Sequence, residues 1–595
     1  MKKITCVLLS LLLLAGCSAQ TKNVKKEEGK TEFSQEVDVV VVGAGGAGMT
    51  AAINAYDKGA KVLVIEKMPF AGGNTVRSKG GLNAAETSVQ KKLGIKDSVN
   101  TFYEDTMKGG KNLNDPEIVK FFTQNSAVAV DWLISIGMDL SDVAMGAGAT
   151  NARMHRPKDG LDIGPVLVDT LQKNIKSRNI EVIYDTQVTE ILSEDNKIIG
   201  VKAKNIKNDK DINVKADAVV IATGGFAANE KLYTKYREDI KGFVTTNHPG
   251  ATGDGIVLAE KLNAALVDMD QIQTNPTVEQ KTTEVISESI RGLGAIFVNK
   301  EGKRFTSEML TRDVLSKKIL EQEDKFTYII FDDNLRKNMK AVEGMIKKGI
   351  VTEGKDIEDL AKKLSIKESA LKETLNKWNE AVKNKKGAEF NRDTGMDNNL
   401  SKAPYYAIKV APGVHHTMGG IKINTNAEVI STDGKVISGL FSAGETTGGI
   451  HGANRLGGNA VADIIIFGRQ AGIKAAEYGI KNGSLLKPED KKEVKENLPK
   501  IKEGLKGKLK EGVYSAVKKG NNGDVKIEVT VKEGLIQEIK SIENSETGPI
   551  FKSVEEKLIP QIIYNQSVEL DVVSGASYSS KAVLEAVKEI IEKAK

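Results

Sequence analysis

Three stretches of the 595-residue sequence predict an α/β protein with a small α+β unit at its C-terminal end. Residues 38–66 read DVVVVGAGGAGMTAAINAYDKGAKVLVIE: an apolar strand, a glycine-rich turn, a helix and a second strand in direct succession. A later apolar strand, residues 218–222, ends in Thr223-Gly224-Gly225. Residues 525–531 alternate strictly between apolar and polar, turn at Lys532-Glu533-Gly534, return over 535–542, and lead to an amphipathic C-terminal helix. The length alone calls for roughly two to four domains. With 86 Lys+Arg against 80 Asp+Glu, the formal charge of +6 is mild and mixed in sign, which gives no case for nucleic acid as a partner.

The N-terminus reads as an address rather than as part of the fold. Lys2 and Lys3 precede an apolar run over residues 4–14, too short to span a bilayer, and then Ala15-Gly16-Cys17. Leu14-Ala15-Gly16-Cys17 resembles the lipobox of bacterial lipoproteins. That resemblance implies a signal peptide over 1–16, a lipid on Cys17, a polar tether over 17–35, and an exported protein held at the outer face of the cell membrane. The other cysteine, Cys6, lies within the signal, so the mature body carries no thiol. Disulfides, Cys-ligated Fe–S clusters and C-x-x-C-H haem attachment are thereby excluded; no metal site is expected, and redox chemistry must come from an organic cofactor.

Residues 39–42 are β-branched and apolar throughout, as a strand buried on both faces requires. Gly43, Gly45 and Gly48 then make a G-x-G-x-x-G turn, which permits a tight bend, close approach to a pyrophosphate, and close helix–strand packing. The phosphates would lie at the helix N-terminus, where free N–H groups favour negative charge. Glu66 ends the second strand, where a carboxylate accepts bonds from ribose hydroxyls. This is a Rossmann-like dinucleotide site, and the stretch alone does not choose between FAD and NAD. Beyond it, Gly73-Asn74-Thr75 and Gly80-Gly81 let backbone pass close to a flat cofactor. Residues 102–138 are helical in pattern, 145–156 read as a loop, and 180–184 and 188–192 as strands. Ser365-Ile366-Lys367-Glu368 has the form of a capping box opening an amphipathic helix with Leu371, Leu375, Trp378 and Val382 on its apolar face.

The glycine turn with Glu66, Ala222-Thr223-Gly224-Gly225, and Gly250-Ala251-Thr252-Gly253-Asp254-Gly255 together resemble the flavoprotein subunit of the fumarate reductase/succinate dehydrogenase family. The soluble exported branch of that family adds three segments, here ESIRGLGAIFVNKEGKRFTSEMLTRD (288–313), PGVHHTMGG (412–420) and SAGETTGGIHGANRLGGNA (442–460). The resemblance covers about residues 36–480 and implies non-covalent FAD rather than NAD. It implies a FAD-binding domain in two parts, 36–253 and 403–484, around an inserted α+β capping domain at 254–402. Gly224, Gly225, Asp254, Gly444 and Glu445 join the expected cofactor residues. Arg312 is implied as proton donor, with Glu288 and Arg291 relaying protons from solvent, and His416 with Arg455 as the clamp on the substrate carboxylate. The chemistry suits the residues: hydride comes from flavin N5, Arg offers a bidentate fork, and its positive field stabilises carbanion-like charge. An arbitrary Arg-Asp dipeptide such as Arg312-Asp313 would by itself read as a structural ion pair.

One departure bears on substrate. Fumarate-specific members hold the second carboxylate with a His and a Thr; Asn275 and Ser287 stand at those places here. The neutral, shorter Asn holds a second carboxylate less well, which favours a monocarboxylate such as a substituted acrylate. Urocanate is a further expectation, without an obvious Tyr/Asp pair to grip its imidazole.

Residues 485–511 are Lys/Glu-rich and read as a linker. Residues 571–580, DVVSGASYSS, resemble the D-x-x-S-G-A-[ST]-x-[ST] signature of small FMN-binding domains. That resemblance implies an FMN-binding domain over 512–595, with FMN joined through its phosphate to Ser577. Taken without it, the stretch is a Ser/Gly turn with Ser580 as helix N-cap. The sequence thus leads to an exported flavoprotein that reduces the C=C bond of a small α,β-unsaturated carboxylate. Electrons would come from a membrane donor, a quinol dehydrogenase or flavin-linked chain, through FMN to FAD. The alternatives are a dehydrogenase or oxidase of the same fold, and a flavin electron carrier without its own substrate.

Overall fold

The computed structural model describes residues 33–595 apart from 147, 340, 386–388, 482, 487–508, 533, 547–550, 552–553, 556–557, 560–561, 564–565, 569, 571 and 574–575. The expected signal, Cys17 and most of the linker therefore lie outside the described residues. The chain divides into two compact units, 1–490 and 491–595.

The first unit is built on β1 (Gln35–Val42), α1 (Gly46–Asp57) and β2 (Val62–Ile65). Val39 and Val41 pack into the core on one face of the sheet, Val40 and Val42 into the core on the other. The continuous apolar run is thus explained by burial on both faces. β3 (Glu181–Ile183) lies parallel to β2. A meander of β4 (Thr186–Glu194), β5 (Lys197–Asn205) and β6 (Asp211–Ile221) then brings β6 parallel to β1.

A second, antiparallel sheet forms the cap. Its strands are β7 (Ile272–Val278), β8 (Ile296–Val298), β9 (Thr327–Asp332), β10 (Thr352–Gly354) and β11 (Tyr405–Thr417). β11 is central: it pairs with β7, β9 and β10, and β8 adds to β9. The last parallel strand, β12 (Val436–Ser442), joins β6, and the helix over Asn459–Gly479 packs on α1.

The cap core runs from Ile286 to Val410, whereas Ile256, Leu258 and Ala259 pack under the parallel sheet beside Val40 and Val42. One expectation is corrected here: the capping box fails. Ser365 is the left-handed C-cap (φ 55°) of the preceding helix, and the next helix, Glu368–Asn384, has Lys367 at its N-cap without a side-chain bond.

The second unit is a three-stranded antiparallel sheet, Gly512–Lys519, Asp524–Lys532 and Leu535–Asn544, with the helix Ser577–Ala594. Val525, Ile527, Val529 and Val531 share a core with Val583, Ala586, Val587 and Ile590, as the alternation and the amphipathic tail require. The helix starts at Ser577, so Ser580 is not its N-cap; the Ser580 hydroxyl instead accepts from the Val573 N–H (3.0 Å). Asp571, Ser574 and Gly575 of the flavin signature lie outside the described residues.

Candidate active site

The glycine turn between β1 and α1 has three different steric roles. Gly43 has φ +104°, and a Cβ there would lie 2.5 Å from the Ala222 oxygen; a Cβ on Gly48 would lie 1.9 Å from the Gly43 oxygen. A Cβ on Gly45 would meet nothing within 4 Å. The first and third glycines are thus required by the fold, and the second borders open space at a helix N-terminus. That is the shape a pyrophosphate needs.

Around this turn the expected cofactor residues converge. Glu66 accepts from the N–H groups of Ala44 (2.7 Å) and Met68 (2.8 Å), and burial pushes its carboxyl up. The Thr75 hydroxyl accepts from the Gly46 N–H at 3.0 Å, and Gly73 lies against Gly45. Asn74 Nδ2 donates to Glu445 (3.1 Å), whose carboxyl is fully buried and raised by burial. A Cβ on Gly225 would strike Glu445 and Thr417, one on Gly444 would press on Ala47, and one at Gly224 would be free. Thr223 faces Thr446 at 3.4 Å. Asp254 pairs with Lys67 (2.9 Å), the neighbour of Glu66. Gly80 and Gly81 differ from each other: a Cβ on Gly81 would strike the His155 oxygen at 2.4 Å, whereas Gly80 is loosely packed. These residues would hold the pyrophosphate and ribose of a flavin dinucleotide at the turn.

The candidate reactive groups come from the cap and from the loop before the helix Asn459–Gly479. Arg312 opens the helix Arg312–Leu320 of the cap; its Nε donates to Glu288 at 2.6 Å and its Nη1 to Gln273 Oε1 at 3.1 Å. Arg455 reaches the same Gln273 oxygen with Nη2, also at 3.1 Å, from the loop before the helix Asn459–Gly479. Gln273 Nε2 in turn donates to Asn454 Oδ1 (2.7 Å) and the Arg455 carbonyl (3.0 Å). This side chain, which accepts from both Arg312 and Arg455, was not singled out by sequence. Its only sequence signal is its position two residues before Asn275 on one strand.

Arg291 lies 3.6 Å from Glu288 and donates to the Glu308 carbonyl at 2.6 Å. The Arg312 guanidinium holds the Glu288 carboxyl down to about 2, against the effect of burial. Burial lowers Arg291, and burial with Arg312 beside it brings Arg455 to about 9. Asp313 does not pair with Arg312; it pairs with Lys111 at 2.7 Å.

His416 stands opposite Gln273 in the β7–β11 register, and His415 is the extra residue of a β-bulge there. The His416 Nδ1 lies 3.4 Å from Glu445, while its Nε2 is buried without a partner. Burial, with Arg455 adding to it, pushes His416 well below its usual value, so the ring is neutral and offers one hydrogen bond. His415 bonds the Thr246 hydroxyl at 2.8 Å. Asn275 follows Gln273 on the same face of β7. Its Oδ1 is taken by the Thr277 N–H (3.0 Å) and hydroxyl (3.2 Å), and its buried Nδ2 has no partner. Ser287 is bonded to Ser289 (3.0 Å) and not to Asn275.

Residues 38–461 match the FAD binding domain family, and residues 520–592 the FMN-binding domain family. The NADH:fumarate oxidoreductase of Klebsiella pneumoniae (strain 342) is 46% identical over 480 residues, covering 78% of this chain and 52% of the relative. The chain thus spans about half the length of that protein. The fumarate reductase (cytochrome) of Shewanella frigidimarina is 48% identical over 447 residues, 75% of this chain and 78% of the relative. The solved open conformation of a flavocytochrome c3 fumarate reductase superposes with a TM-score of 0.69 at 42% identity, over 76% of this chain and 79% of that one.

Proposed function

The chain belongs to the FAD-dependent flavoproteins of the fumarate reductase type, with an added FMN-binding domain, and from that premise we propose that it reduces the C=C bond of a small α,β-unsaturated carboxylate. One observation carries the reading: Arg312, from a cap helix, and Arg455, from the loop before the helix Asn459–Gly479, meet at 3.1 Å on one amide oxygen, with Glu288 behind Arg312 at 2.6 Å. FAD bound at the glycine turn supplies the hydride. The remaining work falls to side chains. Arg455 and His416 hold the carboxylate, and their buried setting strengthens that grip. Arg312 delivers the proton to the carbon opposite the hydride, and Glu288 and Arg291 return one to it from the solvent side. Glu288, one third exposed, is the water-facing member of the relay.

Asn275 refines the substrate. A neutral buried donor in place of a cation suits a monocarboxylate or an uncharged distal acceptor better than a second carboxylate. We place the protein outside the cell membrane, anchored through Cys17, with electrons arriving from a membrane donor at FMN on Ser577. Anaerobic oxidation of reduced methyl viologen against fumarate, urocanate, acrylates and cinnamates tests the activity. Turnover of at least one enoate is expected; a FAD-loaded protein inert to all would reject the reading. Ser577→Ala should leave FAD bound, remove covalent FMN from the intact mass, and abolish electron uptake from membranes while viologen-driven turnover persists.

A further inference from the structure

Exposed Lys111 and half-buried Asp313, both outside the reaction machinery, link its halves. Lys111 Nζ lies 2.7 Å from Asp313 Oδ2, and Asp313 is the residue after Arg312 in the first turn of the same helix. Lys111 belongs to the other half. It sits just beyond the helix Val99–Gly109, in a turn where Lys111 (φ 58°) and Asn112 (φ 57°) are both left-handed. Two adjacent non-glycine residues in that region carry a backbone cost that persists only where surrounding structure imposes it.

Here the loop ending in Arg455 imposes it. The Ala453 N–H donates to the Gly110 oxygen at 2.9 Å, and the Asp115 N–H to the Gly449 oxygen at 2.7 Å. Asn114 Nδ2 donates to the Ile450 oxygen at 2.8 Å, and Asn454 Nδ2 to the Gly109 oxygen at 3.3 Å. Residues 109–115 are thus stitched to residues 449–454, and Lys111 projects from that seam onto the cap.

We propose that Lys111–Asp313 is the contact that sets the proton donor against the carboxylate clamp when the cap is seated, which makes Lys111 and Asp313 positioning residues. The turn stitched to the clamp's loop carries the cation, and the acid's own helix carries the anion. The pair closes the gap between Arg455 and Arg312 from outside, while Gln273 spans it from within. The inference rests on Arg312 as acid in the proposed reduction. At 59% and 35% side-chain exposure, neither substitution opens the core.

The test compares Lys111→Met, Asp313→Asn and the charge swap Lys111→Asp/Asp313→Lys in FAD-loaded protein by two readouts. Amide exchange over residues 309–316 should quicken in both single variants and return toward the original rate in the swap, with no substrate needed. Viologen-driven kcat on the best enoate should fall about threefold in each single variant with KM little changed, and recover in the swap; the size is that of an exposed pair. Exchange over 309–316 unmoved by either single variant, or a swap no better than the two losses combined, overturns the proposal. Exchange that responds as expected in a protein inert to every enoate would sustain the contact and reject the reductase reading instead.

Discussion

The clamp and the acid share one amide oxygen but occupy opposite environments. On the flavin side, His416 has 7% of its side chain exposed, Glu445 10%, and Arg455 is 7% exposed. On the cap side, Arg312 has 19% exposed and Glu288 34%. The enclosed half drives its groups toward neutrality: His416 falls well below its usual value and Glu445 rises. The wetter half keeps its carboxylate ionised, because Arg312 lies directly on it. In the proposed reaction, binding strength would come from the drier half, and proton supply from the half where Glu288 touches water.

The division can be broken by experiment. The largest effect is expected for Arg312→Ala, a loss of about 10²–10⁴-fold in kcat with FAD retained and KM little changed, read from steady-state rates and the flavin spectrum. A comparable rise in KM instead would move Arg312 to the binding half. Next, Arg455→Lys should raise KM by about tenfold or more, because an ammonium cannot make the bidentate grip. In the unaltered protein, the same KM should climb above about pH 9, where the Arg455 charge is lost. Asn275→His should shift kcat/KM toward fumarate over a monocarboxylic enoate by about tenfold, the scale of one charge-assisted bond; an unchanged ratio would remove Asn275 from substrate recognition.

The smallest effect is on stability. Glu288 falls from its ordinary 4.5 to about 2 on folding. Its pairing therefore stabilises the fold fully above about pH 4.5, and that contribution drains away as pH falls toward 2. Melting curves of Glu288→Gln and the parent protein should converge over that window.

The flavin side was largely legible from sequence, because its constraints are steric and local. Gly43, Gly45 and Gly48 mark a turn that few other residues can make, and Glu66 follows at a fixed interval. The cap side was legible only by motif. Gln273 gains its role from a bulge at His415, about 140 residues away on the partner strand, and pairing register is not written in either segment alone. Asp313 found Lys111 rather than its neighbour Arg312 for the same reason. Ser365 misled because serine is a common N-cap, whereas here it takes the left-handed C-cap position that glycine usually fills.

β11 has a mechanical meaning as well. Its 13 residues run without interruption from the edges of β9 and β10, at Tyr405, to His416 beside Glu445. A pull on the cap sheet therefore travels along covalent backbone, which hardly stretches, and arrives at the clamp. The strand is a tie-rod between the cap sheet and His416: in the proposed reaction, a cap displaced far enough to withdraw Arg312 would also load the strand that carries His416.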